Sequence, residues 1–147
     1  MKTGIIISCY NEEKRLNTTL FLNFINREDK FHLCFVNNGS KDDTISLLKT
    51  IQMDNPLKVS VVDIKKNCGK AEAVRAGARY LHSRGDITFV GFIDASLSTT
   101  VKDADELLKS LKTNYRLGMV FGSRTKKSLK EFKKMYESII SANDTNI

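Results

Sequence analysis

The sequence predicts an α/β domain built on a mostly parallel sheet with helices on both faces. Three observations carry this. Short apolar runs rich in Ile, Val and Phe alternate with stretches whose apolar residues recur at helical spacing. Most of those runs are nearly continuous in apolar character, as strands buried on both faces are. The chain has 147 residues, 41% hydrophobic and 28% charged, which is the size and balance of one globular domain.

The elements follow in order. Residues 5–8, 31–36, 59–64, 87–93 and 117–121 read as strands. Leu16, Leu20 and Phe24 mark a first helix, with Asn11 as its cap and Glu12 and Glu13 in its first turn. Ile45, Leu48 and Ile51 mark a second, preceded by Ser40-Lys41-Asp42-Asp43, which has the form of a capping box. Ala73, Ala76 and Tyr80 mark a third, and Ala104, Leu107, Leu108 and Leu111 a fourth. Leu129, Phe132, Tyr136, Ile139 and Ile140 mark a fifth, with Lys127, Lys130, Lys133 and Lys134 close by. Such a basic amphipathic segment suits either an anionic membrane surface or ordinary packing on a sheet, and both readings stay open.

Composition removes several classes. The chain is too apolar for a disordered protein and too polar for a membrane bundle. Lys or Arg interrupts every apolar run before it reaches membrane-spanning length. The opening MKTGIIISCYNEE does not read as a secretory signal. Three cysteines without CxxC spacing predict neither a disulfide framework nor a zinc site, so reduced thiols in the cytoplasm are expected. The net charge of +7 suits a phosphate-bearing ligand or an anionic surface. It also motivates a nucleic-acid-binding module, but no reader motif or aromatic stacking array accompanies it, so no nucleic-acid partner is expected.

The unusual residues cluster. In open α/β sheets ligands bind beyond the carboxyl ends of the strands. There the sequence places Cys9-Tyr10-Asn11-Glu12-Glu13, Asn37-Asn38-Gly39-Ser40, Asn67-Cys68-Gly69-Lys70 after Asp63, Asp94-Ala95-Ser96, and Gly122-Ser123-Arg124. No GxGxxG follows the first strand, and Gly69-Lys70 lacks the rest of a Walker A loop.

Taken together, these segments resemble family 2 glycosyltransferases. IIISCYNEE is similar to that family's opening strand and turn, and FVNNGSKDDT to its VDDGSxDxT segment. NCGKAEAVRAG is similar to NxGKGxAVRxG, and FIDASLST to DADLST with its DxD metal motif, both of the dolichyl- and polyprenyl-phosphate branch. GSR matches as well, and the five blocks stand in family order from residue 5 to about 124. The resemblance implies a GT-A fold (nucleotide-diphospho-sugar transferase-like) and a UDP- or GDP-sugar donor. It implies that residues 1–140 form the donor half; residues 141–147 read from their composition as a polar tail.

The resemblance also implies roles. Tyr10, Glu12, Asn37, Asn38, Gly69, Lys70, Arg75, Asp94 and Arg124 become donor-binding residues, while no catalytic residue is assigned. Asn37 stands where the family has an aspartate that accepts a hydrogen bond from the base, which an amide oxygen can also do. Asp94 and Ser96 hold the DxD positions. Serine is a poor ligand for a hard cation, so weak binding of Mg²⁺ or Mn²⁺ is expected. Each has a plainer reading: a turn at Asn37-Asn38-Gly39, a cap or solvated strand end at Asp94, solvated faces for the basic residues. Tyr10, Asn37 and Asp94 are expected to share one hollow.

Such enzymes invert the anomeric carbon by direct displacement, and a hydroxyl acceptor needs a general base. A phosphate monoester, with its second pKa of about 6, relaxes that need. The resemblance thus implies transfer from a nucleotide-sugar to an acceptor, for which a polyprenyl phosphate at a cytoplasmic membrane face is one candidate; whether a protein partner or oligomer supplies the acceptor half stays open. The alternative is a degenerate, non-catalytic nucleotide-sugar-binding domain.

Overall fold

In a computed structural model, residues 2–27, 29–96, 101–114, 116 and 118 are described here. The chain divides into two units, Met1–Ser98 and Thr99–Ile147. The first contains β1 (Lys2–Cys9), α1 (Thr18–Arg27), β2 (Phe31–Asn38), α2 (Thr44–Asp54), β3 (Val59–Ile64), α3 (Lys70–Ser83) and β4 (Ile87–Asp94). The second contains α4 (Val101–Thr113), where Leu108 is buried and Ala104, Leu107 and Leu111 are half-buried. The expected strand at 117–121, apart from Gly118, the helix marked by residues 129–140, and Arg124 lie outside the described residues.

The described sheet has the order β3-β2-β1-β4, with every pairing parallel. β2 is its most enclosed strand, buried along its whole length. One face of β2 meets α1: Phe21 stands edge-on to Phe35 at 5.2 Å, and Phe24 stacks on Phe31 at 4.7 Å. Burying each such ring contributes about 1.5–3 kcal/mol. The other face meets α3. A Cβ on Gly77 would come within 2.8 Å of Ile6 and 3.0 Å of Val36, so the helix backbone lies directly on the sheet there. Gly4 makes room for Leu81 in the same way. Farther down that face, buried His32 and Ser60 hydrogen-bond at 2.8 Å, and the Tyr80 hydroxyl donates to Ser60 at 3.0 Å. Helices therefore do cover both faces, as the strand composition requires.

Local details depart from the sequence reading. α1 starts at Thr18 and is capped by Asn17, whose Oδ1 accepts the Leu20 N–H at 3.1 Å; Asn11 lies upstream with φ +52°. The buried stripe of α1 is Phe21, Phe24 and Ile25, while Leu20 is half-exposed. The capping box does not form. Asp43 is the α2 N-cap without a side-chain capping bond, and Asp42 Oδ1 accepts the Thr44 N–H instead. α3 buries Ala73, Val74, Gly77 and Leu81, a stripe offset from the expected Ala76 and Tyr80. β4 leaves Thr88 and Val90 exposed, two residues that share one face of the strand.

Candidate functional site

The carboxyl ends of β1, β2 and β3 are laced together through their turns. From the first turn, the backbone N–H groups of Asn11 and Glu12 donate to Ser40 Oγ (3.0 Å) and Thr44 Oγ1 (2.9 Å). In return the Lys41 N–H donates to Asn11 Oδ1 at 2.8 Å. Glu13 and the Asp42-Asp43 pair exchange two more bonds at 3.3 Å. Short polar side chains do here what strand pairing does inside the sheet: they satisfy backbone groups that the turns leave open. Tyr10, at the head of the first turn, is 39% exposed, and the Glu12 carboxylate pairs with Arg15 at 3.0 Å. Just below, burial pushes the Cys9 thiol up to about 12, with Glu12 adding to the effect.

Asn37 and Asn38 are both buried and belong to different networks. Asn37 is the register partner of Asp63 and donates its amide to Asp63 Oδ1 at 2.8 Å. Its own oxygen takes a long bond, 3.4 Å, from the Ser40 N–H. Lys65 pairs with the other Asp63 oxygen, and bonds from Lys65 and then Asn37 hold the Asp63 carboxyl below its ordinary value. Asn38 is spent on the third turn: its oxygen accepts the Cys68 N–H at 3.0 Å, and its amide donates to Asn67 Oδ1 at 3.4 Å. Gly39 completes this seam. Its φ is +69°, and a Cβ there would sit 2.3 Å from the Asn67 backbone nitrogen.

The strand order reverses between β1 and β4, which is where open α/β sheets form a ligand crevice. Ser8 and Asp94 are register partners at that point. Lys70, the first residue of α3, reaches across to pair with Asp94 Oδ1, and its ammonium also lies 5.9 Å from the Phe92 ring centroid. Gly69, with φ +87°, has open space where a Cβ would stand. Arg75 is turned elsewhere. Five residues beyond Lys70 it lies about 140° around the helix, and it binds Glu72 at 3.1 Å. The DxD positions thus offer one carboxylate already bonded to an ammonium and the exposed hydroxyl-bearing Ser96. No cluster of three or more His, Cys, Asp or Glu suited to a metal occurs among the described residues. This donor set does not fit a hard divalent cation.

Register also revises the expected hollow. Asn37 shares a row with Cys9, and Asp94 shares the next row with Ser8, so the two point to opposite faces of the sheet. They share an edge rather than a face, and a molecule touching both must lie over the strand ends. Asp63 is the residue that the sequence reading passed over. It stands next to last in an apolar strand, as Asp94 stands last in another, and the cost of a carboxylate in such a position is the signal. Asn11, Glu13, Lys14, Arg15, Lys41 and Asp42 of the first two turns line an open groove.

A parallel sheet with helices on both faces and polar side chains gathered beyond the carboxyl ends of its strands defines an open α/β domain of the ligand-binding kind. More narrowly, the chain belongs to glycosyl transferase family 2, whose family model matches residues 4–145. A dolichyl-phosphate beta-glucosyltransferase of Trichomonas vaginalis is 33% identical over 133 residues, covering 83% of this chain and 38% of that protein. Among solved structures, S. aureus TarS 1-349 in complex with UDP-GlcNAc superposes with a TM-score of 0.54 at 24% identity, over 76% of this chain and 32% of TarS. A mannosyltransferase of Pyrobaculum calidifontis in complex with GDP-Man and Mn²⁺ gives 0.51 at 23%, over 65% and 27%. The fold is therefore GT-A, and the chain spans well under half the length of the relatives it matches.

Proposed function

We propose that this chain is the donor-binding part of a glycosyltransferase that takes a UDP- or GDP-sugar and passes the sugar to a polyprenyl phosphate at a cytoplasmic membrane face. The observation that carries this is the gathering of Asn37, Asp63, Lys70 and Asp94 on one carboxyl edge of a family 2 chain. Asp63 occupies the Asn37 amide, which leaves the Asn37 oxygen, lightly engaged by Ser40, as an acceptor. Uracil and guanine bring a ring N–H to such an acceptor, and cytosine does not. At the switch point Lys70 offsets diphosphate charge. In the transfer, an acceptor phosphate oxygen attacks the anomeric carbon as the bond to the nucleoside diphosphate breaks, and the bonding pair leaves with the diphosphate. A largely ionised phosphate needs no general base for this. Tyr10, Glu12, Gly69 and Asp94 line the donor side, with Asn38 holding the β3 turn in place. No described helix is long and apolar enough to cross a membrane.

A second reading, a nucleotide-sugar-binding domain without turnover, is favoured by Ser96 in place of an acid. Calorimetric titration with UDP, GDP and CDP tests the binding claim. UDP or GDP is expected to bind at least about tenfold more tightly than CDP, the scale of one lost hydrogen bond at a buried polar group. Asp63→Ala, which frees the Asn37 amide to turn, is expected to erase that preference. Equal or absent binding of all three in the wild type refutes the reading. Sugar turnover on a polyprenyl phosphate then separates the enzyme from the silent domain.

A further inference from the structure

A lysine stands at the switch point between β1 and β4. Lys70 Nζ, on a half-exposed side chain, pairs with Asp94 Oδ1 and lies 5.9 Å from the ring centroid of Phe92, which stands on the same strand and the same face as Asp94. Phe92 and Asp94 alternate correctly for this, standing two residues apart on β4. The base of the side chain is fixed, since Lys70 opens a helix of 14 residues immediately after Gly69. Asn67 Oδ1 accepts the Gly69 N–H at 2.9 Å and so pins the turn that delivers it. This half-exposed ammonium competes with a divalent cation for the one carboxylate at the DxD positions, and Ser96 supplies no second acid. Beside Gly69 there is room for an anion to approach the backbone.

We propose that Lys70 turns its ammonium from Asp94 toward a bound diphosphate and supplies the positive charge there, so that donor binding by this chain does not require a divalent metal. The proposal rests on the reading that this edge binds a nucleoside diphosphate. It departs from the Mn²⁺-loaded mannosyltransferase, whose fold the chain shares. One ammonium offers hydrogen-bond donors as well as charge, and a pairing of that kind to phosphate is roughly twice as strong as a neutral hydrogen bond.

The test is calorimetric titration of the whole chain with UDP and GDP, once in EDTA and once in Mn²⁺. The wild-type Kd is expected to differ by less than about threefold between the two conditions. Lys70→Met, which keeps the stem and removes the charge, is expected to lose about tenfold or more in EDTA, the scale of one hydrogen bond to a charged group. Lys70→Arg is expected to retain binding. Matching far-UV circular dichroism for the variants establishes that they fold, and the wild-type comparison needs no variant at all. Wild-type binding that disappears in EDTA and returns with Mn²⁺ overturns this inference alone. Lys70→Met binding as tightly as wild type in EDTA overturns it too. Failure of both nucleotides to bind under either condition overturns the proposed function, and this inference with it.

Discussion

Gly39→Ala separates a steric demand from a conformational one. Among the described residues, Gly39, Gly69 and Gly85 all have positive φ, at +69°, +87° and +75°. An alanine in that region costs about 1–2 kcal/mol, partly offset by roughly 0.4–1 kcal/mol from a less flexible unfolded chain. Gly85 has nothing within 4 Å of a new Cβ, so its alanine variant stops at that figure, whereas Gly69, at φ +87° and ψ 159°, sits in a region open essentially to glycine alone and costs more on backbone grounds. At Gly39 the Cβ would stand 2.3 Å from Asn67 N and 2.6 Å from Lys66 C, both backbone atoms. The two turns must part by about 1 Å to regain ordinary contact. Such a shift strains the Asn38 bonds to Cys68 and Asn67, each contributing about 1 kcal/mol net. Gly39→Ala should therefore be about 2–3 kcal/mol less stable than Gly85→Ala. Urea unfolding followed by circular dichroism at 222 nm measures the difference, which suits a chain without tryptophan. Midpoints for the two variants that agree within error would show that the β2–β3 seam yields freely and refute the packing argument.

Two further outcomes concern buried titrating groups. Burial, reinforced by Arg84, pushes His32 down to about 4. The folded chain then binds fewer protons than the unfolded one between about pH 6.5 and 4, so stability is complete above that window and is lost through it as pH falls, by roughly 3 kcal/mol. Urea midpoints across that range should fall for the wild type and fall less for His32→Gln; parallel curves would contradict the assignment. Cys9 and Cys34 are buried with thiols pushed up to about 12, whereas Cys68 is exposed. Ellman's reagent at neutral pH should therefore modify one thiol quickly and the other two only on unfolding, and rapid release from all three would show that the β1–β2 core opens readily.

Much of this was legible in the sequence because each strand declares itself locally. β3 begins and ends where its apolar run does, and β2 runs only two residues past the apolar run that announced it. Those two residues are Asn37 and Asn38, polar groups that pairing with β1 and β3 carries into the sheet. Helix starts were less legible. Asn11 and Ser40 are residue types that cap helices, yet each spends its side chain on the other's turn. A local rule cannot see a bond spanning 29 or 30 positions. The candidate site shows the same division. Asp94, Lys70 and Asn37 stood out as residue types at strand ends, but the ion pair, the Asp63 partnership and the opposed faces follow from register, which only the folded sheet supplies.

Because Asn37 and Asn38 sit on alternate sides of one strand, their duties are assigned by counting. Deleting or inserting a single residue within β2 would hand the Asp63 partnership to the wrong amide and turn the other away from the Cys68 loop. This edge can therefore accept new side chains far more readily than a change in strand length, and attempts to retune or graft it should hold the spacing from Phe31 to Gly39 constant.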